Sequence, residues 1–298
     1  MTATIKPAIP AALVKRAQLY ADIRAFFKAK QVLEVETPLL SQAATVDKHI
    51  ESFCSEGRYL QTSPEFAMKR LLAQGSGAIY QLCKVFRLEE AGRWHNPEFT
   101  MLEWYRPHFD HHDLMQELAE LLAALGVSTP HKTSYRQAFI DHAGFDPFSA
   151  PLAVLQAHPH HPEPISQDRD TLLDVWMSFT IAPALQNPTF IYDFPASQAA
   201  LSRVENGVAQ RFELIWQGVE LANGFHELTD PKEQQQRFEA DQAYRRQHGL
   251  KVPPFDARLI EALPHLPPCA GVAVGVDRLL ALLLGQSELV LAFGWDQA

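Results

Sequence analysis

Two stretches of the chain gather side chains able to handle phosphate. Phe86-Arg87-Leu88-Glu89-Glu90 is followed closely by Arg93-Trp94-His95-Asn96-Pro97-Glu98-Phe99, so two arginines, a histidine, several acids and an aromatic surround one loop. Arginine neutralises phosphate through paired hydrogen bonds, and an aromatic ring offers a stacking face to a purine. A solvated loop with surface ion pairs uses the same residue types, so the loop alone leaves both readings open. On the strand that follows, the two-residue period places Phe99, Met101, Glu103 and Tyr105 on one face. That polar and aromatic mixture suits a pocket floor and an exposed sheet face equally.

The second stretch is a hairpin. A two-residue turn at Trp216-Gln217 is expected to set Glu213 opposite Glu220, and Leu214 opposite Val219. Facing carboxylates repel. A divalent cation relieves the conflict, and Mg²⁺ is commonly held by one or two carboxylates plus substrate phosphates. A different register would leave both acids facing water. Beyond it, Leu221-Ala222-Asn223-Gly224-Phe225-His226-Glu227 adds an amide and another acid. With Glu65 and Glu103, the chain has acids enough to surround a cationic substrate. Gly275-Val276-Asp277-Arg278 stands at an expected strand-to-helix junction, where a helix N-terminus favours anions and Arg278 adds a full positive charge. The histidines at 108, 111 and 112, and at 158, 160 and 161, lie in or beside expected loops with no cysteine or fixed acid partner. They read as solvated surface, not as a metal site.

The elements that must position these residues follow from spacing and punctuation. Leu13, Ala17, Tyr20, Ile23 and Phe27 recur at helical spacing behind Pro10. Val32 to Pro38 alternates like a strand, with Pro38 confining it to an edge or a strand end. Tyr59 to Thr62 predicts a strand running into a helix capped by Ser63-Pro64 and ending near Gly75. Strands are expected at about 78–87 and 99–106, an exposed helix at 113–125, and a helix opened by the capping pattern Ser134-x-x-Gln137. The stretch 150–168, rich in Pro and His, reads as a surface insertion. A hairpin over 211–223, a long polar helix capped at Asp230, a strand at 271–274 and an apolar helix at 276–284 complete the pattern. Strands with helices inserted between them predict a mostly antiparallel sheet in an α+β domain. There is neither a P-loop nor a GxGxxG motif.

Composition narrows the partners. At 298 residues, 47% hydrophobic and 20% charged, the chain can bury a large core. The net charge of −9, with no Lys/Arg run, argues against a protein that grips a nucleic acid. No apolar leader follows Met1, and the longest apolar run, Leu279 to Leu284, is too short for a bilayer, so no membrane and a cytoplasmic location are expected. Cys54, Cys83 and Cys269 form no close pair, and neither a disulfide framework nor a zinc site is indicated.

Glu36-Thr37-Pro38, then Phe86-Arg87-x-Glu89 with Arg93-x-His95-Asn96-Pro97-Glu98-Phe99, then Gly275-x-Asp277-Arg278 resemble motifs 1, 2 and 3 of the class II aminoacyl-tRNA synthetases. The stretches 95–105 and 218–230 are similar to the lysyl-tRNA synthetase branch. Motif 1 arrives by residue 38, with room for only one helix before it, so no anticodon-binding domain is expected. The stretches 194–201 and 233–242 are similar to the stand-alone paralogues of lysyl-tRNA synthetase. The resemblance implies an α+β class II catalytic core, a mostly antiparallel sheet flanked by helices, formed as a single domain over 1–298 and paired as a homodimer through motif 1. It also implies that ATP and Mg²⁺ are used to activate (R)-β-lysine, and that the acceptor is a lysine ε-amine of elongation factor P and not tRNA.

The implied roles go residue by residue. Arg87 would hold the α-phosphate and the substrate carboxylate. Leu88, Glu89, Asn96, Leu221 and Gly275 would line the ATP site, with Phe99 stacking on adenine. His95 and Arg278 would meet the outer phosphates, while Glu213 and Glu220 hold Mg²⁺. Ser63, Pro64, Glu65, Tyr105, Asn223 and Glu227 would bind the amino acid, with Glu103 nearby and Ala273 standing where synthetases usually carry glycine. Leu88 departs from the family, which usually has a polar residue there, and the segment from Pro38 to Ser63 is shorter than in relatives. Two rival readings are a truncated synthetase that charges tRNA and a catalytically inactive amino-acid sensor; the intact Arg87, Glu220 and Arg278 argue against the inactive one.

Overall fold

The computed structural model describes residues 9–48, 50–88 and 92–289. In chain order, α1 (Ile9–Ala29) leads to four short strands, β1 (Leu33–Glu34), β2 (Leu40–Ser41), β3 (Cys54–Ser55) and β4 (Arg58–Leu60). Helix α2 (Glu65–Ala73) then precedes the long hairpin β5 (Ile79–Phe86) and β6 (Glu98–Pro107). Next come α3 (His111–Ala124), β7 (His131–Ser134), α4 (Tyr135–Ala143), α5 (Leu152–Leu155), α6 (Arg169–Trp176) and α7 (Ala182–Ala184). Strands β8 (Thr189–Pro195), β9 (Val204–Glu205), β10 (Val208–Trp216) and β11 (Val219–His226) follow. The chain continues through α8 (Pro231–Gln247), α9 (Ala257–Ala262), β12 (Cys269–Gly275) and α10 (Val276–Leu283). Among the described residues no helix is long and apolar enough to cross a membrane.

These elements divide into two compact units, Met1–His108 with Thr229–Ala298, and Phe109–Leu228. In the first, strands run in the order β1-β5-β6-β12, and β2-β4-β3 form a small separate sheet. In the second the order is β11-β10-β8-β7, with β9 beside β10. Pairing is antiparallel except at β1·β5 and β7·β8, in keeping with the α+β expectation.

Local signals place most elements within a residue or two. Ser134 caps α4 by accepting from the Gln137 N–H at 3.1 Å, and Asp230 caps α8 through Lys232 N and Glu233 N. At α2 the caps shift by one: Pro64 holds the cap position, and Ser63 Oγ accepts from the Glu65 N–H at 3.0 Å. The expected strand over 32–38 shrinks to Leu33–Glu34. Helix α3 starts earlier than expected, in a full capping box between Asp110 and Asp113. It is also not an exposed helix, because Leu114, Leu118, Leu121 and Leu122 are buried as it packs on β10 and β11. Helix α1 turns a partly different face inward. Ala12, Leu19, Ile23 and Phe27 are buried, whereas Leu13 and Ala17 are exposed. Apolar residues run almost all round its first turns, so their spacing does not single out a face. Phe27 settles it by stacking on Tyr80 at 4.4 Å and meeting Trp104 edge-on at 5.3 Å.

Candidate active site

In the first unit, β6 carries its alternating face into the interior. Glu103 is 2% exposed, and its neighbours in register are Gln81 on β5 and Ala273 on β12. Ser63 Oγ donates to its Oε2 at 2.7 Å, and the Tyr105 hydroxyl donates to its Oε1 at 2.6 Å. Lys69, one turn along α2 from Glu65, is also buried and donates to Glu65 Oε1 at 2.7 Å. Two carboxylates thus share one ammonium in a dry setting. Burial, and then the Glu65 charge, push the Glu103 carboxyl up from 4.5 to about 7, against the pull of its two hydroxyl donors and Lys69. Such a cluster is short of one positive charge, as a binding site for an amine should be.

The residues expected to handle phosphate lie in the same unit. Arg87 lies with its guanidinium 5.3 Å from the Phe99 ring centre, and its Nε donates to Thr62 O at 3.3 Å. Arg278 opens α10 and donates from Nε to Trp94 O at 3.0 Å, which fixes it against the β5–β6 loop. Gly275, the cap of α10, lies against the Arg278 stem. Asn96 Nδ2 donates to Glu98 O at 3.2 Å, His95 bridges Gly92, and Leu88 bridges Glu51 through the backbone. Glu89 lies outside the described residues. Asp277 holds the frame together: one carboxylate oxygen accepts from Arg16 on α1 at 2.5 Å, the other from the Thr100 N–H on β6 at 2.6 Å. A cavity of about 460 Å³ borders Ser63 and Pro64, lined elsewhere by Arg58, Arg70, Asp256 and Arg258, and reaches no other expected site residue.

In the second unit the hairpin register differs from the expected one. The turn falls at Gln217-Gly218, both with positive φ (51° and 75°), and Trp216 pairs with Val219. A type I′ hairpin turn needs left-handed backbone at both central residues, and glycine supplies one of them; the turn at Trp216-Gln217 would have placed the bulky Trp216 there instead. A bulge after Leu214 then brings Glu213 opposite Asn223, and Ile215 opposite Glu220. Arg211 bonds both members of the first pair, Glu213 Oε1 at 2.6 Å and Asn223 Oδ1 at 3.2 Å. Even so, Glu213 and Glu220 still feel each other. Burial, and then the Glu220 charge, raise the Glu213 carboxyl to about 8, opposed by Arg211. Glu220 is exposed, while Leu221 and Glu227 are buried, and Glu227 is bridged to Ser202 through the backbone.

Three contributors escape the sequence reading. Glu65-x-x-x-Lys69 is legible as a helical pair, but nothing local says that it is buried. Gln81 flanks Glu103 with its Oε1 buried and unpartnered among the described residues. Arg211 stands two residues before Glu213, where strand alternation would have flagged it as a same-face neighbour. The surface reading of the histidines also fails in part: His111 and His158 are buried, His158 against Thr180 Oγ1 at 2.9 Å and His111 against an acid, Asp193.

The chain belongs to the family of class II tRNA synthetases (D, K and N), whose family model matches residues 1–296. Within it, the chain is 49% identical to the elongation factor P–(R)-beta-lysine ligase of Salmonella gallinarum, an alignment that covers 100% of this chain and 99% of that protein. The ligases of the same name from Photobacterium profundum and Yersinia enterocolitica are also 49% identical, with coverage of 98% or more of either chain.

Proposed function

We propose that this protein is an ATP-dependent ligase that activates (R)-β-lysine and transfers it to a lysine ε-amine of elongation factor P. The observation that carries this reading is the 49% identity to ligases of that name, sustained over nearly their whole length. The site chemistry agrees. A β-lysine brings two ammonium groups, and the Glu65–Glu103–Lys69 cluster is short of one positive charge. Arg87 and Arg278 supply the cations that face phosphate.

In the first step the substrate carboxylate attacks the α-phosphorus of ATP, and pyrophosphate leaves. In the second, the acceptor amine attacks the acyl carbon, AMP leaves, and the amine gives up a proton to solvent. Neither step needs a protein nucleophile; positioning and charge neutralisation suffice. Arg87 would hold the α-phosphate and substrate carboxylate, with Arg278 and His95 on the outer phosphates. Phe99 would stack on adenine, with Leu88, Glu89, Asn96, Leu221 and Gly275 around the nucleotide. Ser63, Pro64, Tyr105, Asn223, Glu227 and Ala273 would surround the amino acid.

A divalent cation fits the second unit, because burial and the Glu220 charge oppose the ionisation of Glu213, a conflict that one cation relieves; Glu213 and Glu220 would hold it. Bound Mg²⁺ supplies charge neutralisation at the phosphates. Leu33, Leu39 and Leu40 are exposed on either side of motif 1, which supports a homodimer formed there. Modification of a translation factor locates the reaction in the cytoplasm.

The test mixes the protein with ATP, Mg²⁺, (R)-β-lysine, elongation factor P and tRNA. Addition of one lysyl-type group to elongation factor P, with tRNA uncharged, is the expected result. Stable aminoacylation of tRNA with elongation factor P unmodified would select the truncated synthetase. Absence of ATP–pyrophosphate exchange with lysine and with both β-lysine enantiomers would select the inactive sensor.

A further inference from the structure

One cluster in the second unit takes no part in this chemistry. His111 and His112 form the first turn of α3, with ring centres 4.1 Å apart. Asp193 reaches them from β8, and its Oδ1 lies 3.2 Å from His111 Nε2. One ligand atom from each of the three residues falls within 4.8 Å of the others. Asp193 is placed there at some cost. It is a non-glycine residue at φ 62° inside a strand, opposite a bulge where two residues of β10, Gln210 and Arg211, face it alone. Bulges commonly re-aim a side chain in this way. His111 is 4% exposed, and its second nitrogen, Nδ1, is buried with no hydrogen-bond partner among the described residues.

We propose that His111, His112 and Asp193 bind a d-block divalent cation, Zn²⁺ being the best fit. Two imidazoles and one carboxylate are the donor set that such ions take, leaving a fourth position for water. Mg²⁺ and Ca²⁺ prefer all-oxygen surroundings. Ligands about 2.1 Å from one tetrahedral ion stand about 3.4 Å from each other, so the His111–Asp193 separation already suits a shared ion. His112 is exposed and swings about two side-chain bonds to close the third edge. The charged groups near His112 are Asp110, which favours a cation, and Lys132, which opposes one, as does the α3 N-terminus. Asp193 supplies the ligand charge that offsets them. The ion would pin α3 to β8 beside the bulge that carries Arg211, the residue that holds Glu213 and Asn223.

The experiment uses the full chain without an affinity tag, freed of metal by chelator and dialysis, and is independent of enzymatic activity. Calorimetry with Zn²⁺, and Co²⁺ as a spectroscopic probe, is expected to show a site that takes one equivalent, with a rise in thermal midpoint that persists in excess Mg²⁺. His112→Ala, at an exposed position, and Asp193→Asn are each expected to weaken Zn²⁺ binding by at least about tenfold and to remove the thermal shift. Failure of wild type to bind would overturn the proposal. So would equal binding by wild type and His112→Ala, because the ion would then belong to other histidines such as His158, His160 and His161.

Discussion

Glu103→Gln should make the empty protein more stable at alkaline pH and a poorer binder of its amine substrate. The Glu103 carboxyl titrates at an ordinary 4.5 when unfolded and at about 7 in the fold, where burial and Glu65 oppose its charge. A raised carboxyl value means that the folded state holds its proton longer. The group's contribution is therefore fully present below 4.5 and is lost as pH climbs through about 7. Between pH 5 and pH 8 the wild-type protein should lose about 2–3 kcal/mol from this one residue. Glutamine cannot ionise, and its carbonyl still accepts from Ser63, so the variant should lack that loss. Substrate binding should suffer in return, since a hydrogen bond to a charged group is worth about 1.5–3 kcal/mol, or about 10- to 150-fold in affinity. Denaturant melts of both proteins at pH 5 and pH 8, without ligand, measure the first effect. Calorimetric titration with β-lysine measures the second. The reasoning is refuted if the variant loses as much stability over that range as wild type does, or binds β-lysine as tightly.

Arg87→Ala and Arg278→Ala should each reduce ATP–pyrophosphate exchange by roughly 10²–10³-fold, a loss of about 3–4 kcal/mol of charge stabilisation, while circular dichroism shows the fold intact; near-normal exchange in either would remove that arginine from the site. Glu213→Gln and Glu220→Gln should both raise the Mg²⁺ concentration needed for half-maximal exchange, and an unchanged Mg²⁺ dependence in both would mean that the two acids hold no metal. Ala273 pairs in register with Glu103, so its methyl group lies on the same face of the sheet as that carboxylate. Wild type should favour β-lysine over α-lysine in exchange assays, and Ala273→Gly should narrow that preference; an equal preference in both proteins would exclude Ala273 from substrate choice.

The sequence by itself determined the parts of this protein that depend on near neighbours. Alternation from Phe99 to Tyr105 put Glu103 and Tyr105 on one face, and their hydroxyl–carboxylate bond shows that face turned inward. Ser134 and Asp230 marked helix starts because a cap acts within three residues. The motif residues around Arg87 and Arg278 were legible in the same way, as residue types at short spacings. Only the tertiary structure decided which faces and charges went into the interior. Helix α1 presents several apolar faces, and the rings of Tyr80 and Trp104 chose among them. The pairing of Glu213 turned on which two residues adopt left-handed backbone, and then on a bulge that no periodicity encodes. Glu65 and Lys69 have the spacing of an ordinary solvated pair; burial makes them a charge-deficient cluster beside Glu103. His111 gains its acid partner from Asp193, 82 positions along the chain. Spacing fixes what a residue's own element does, because backbone geometry is local. Burial and long-range partners depend on how distant segments pack, and that is where charge acquires its energy.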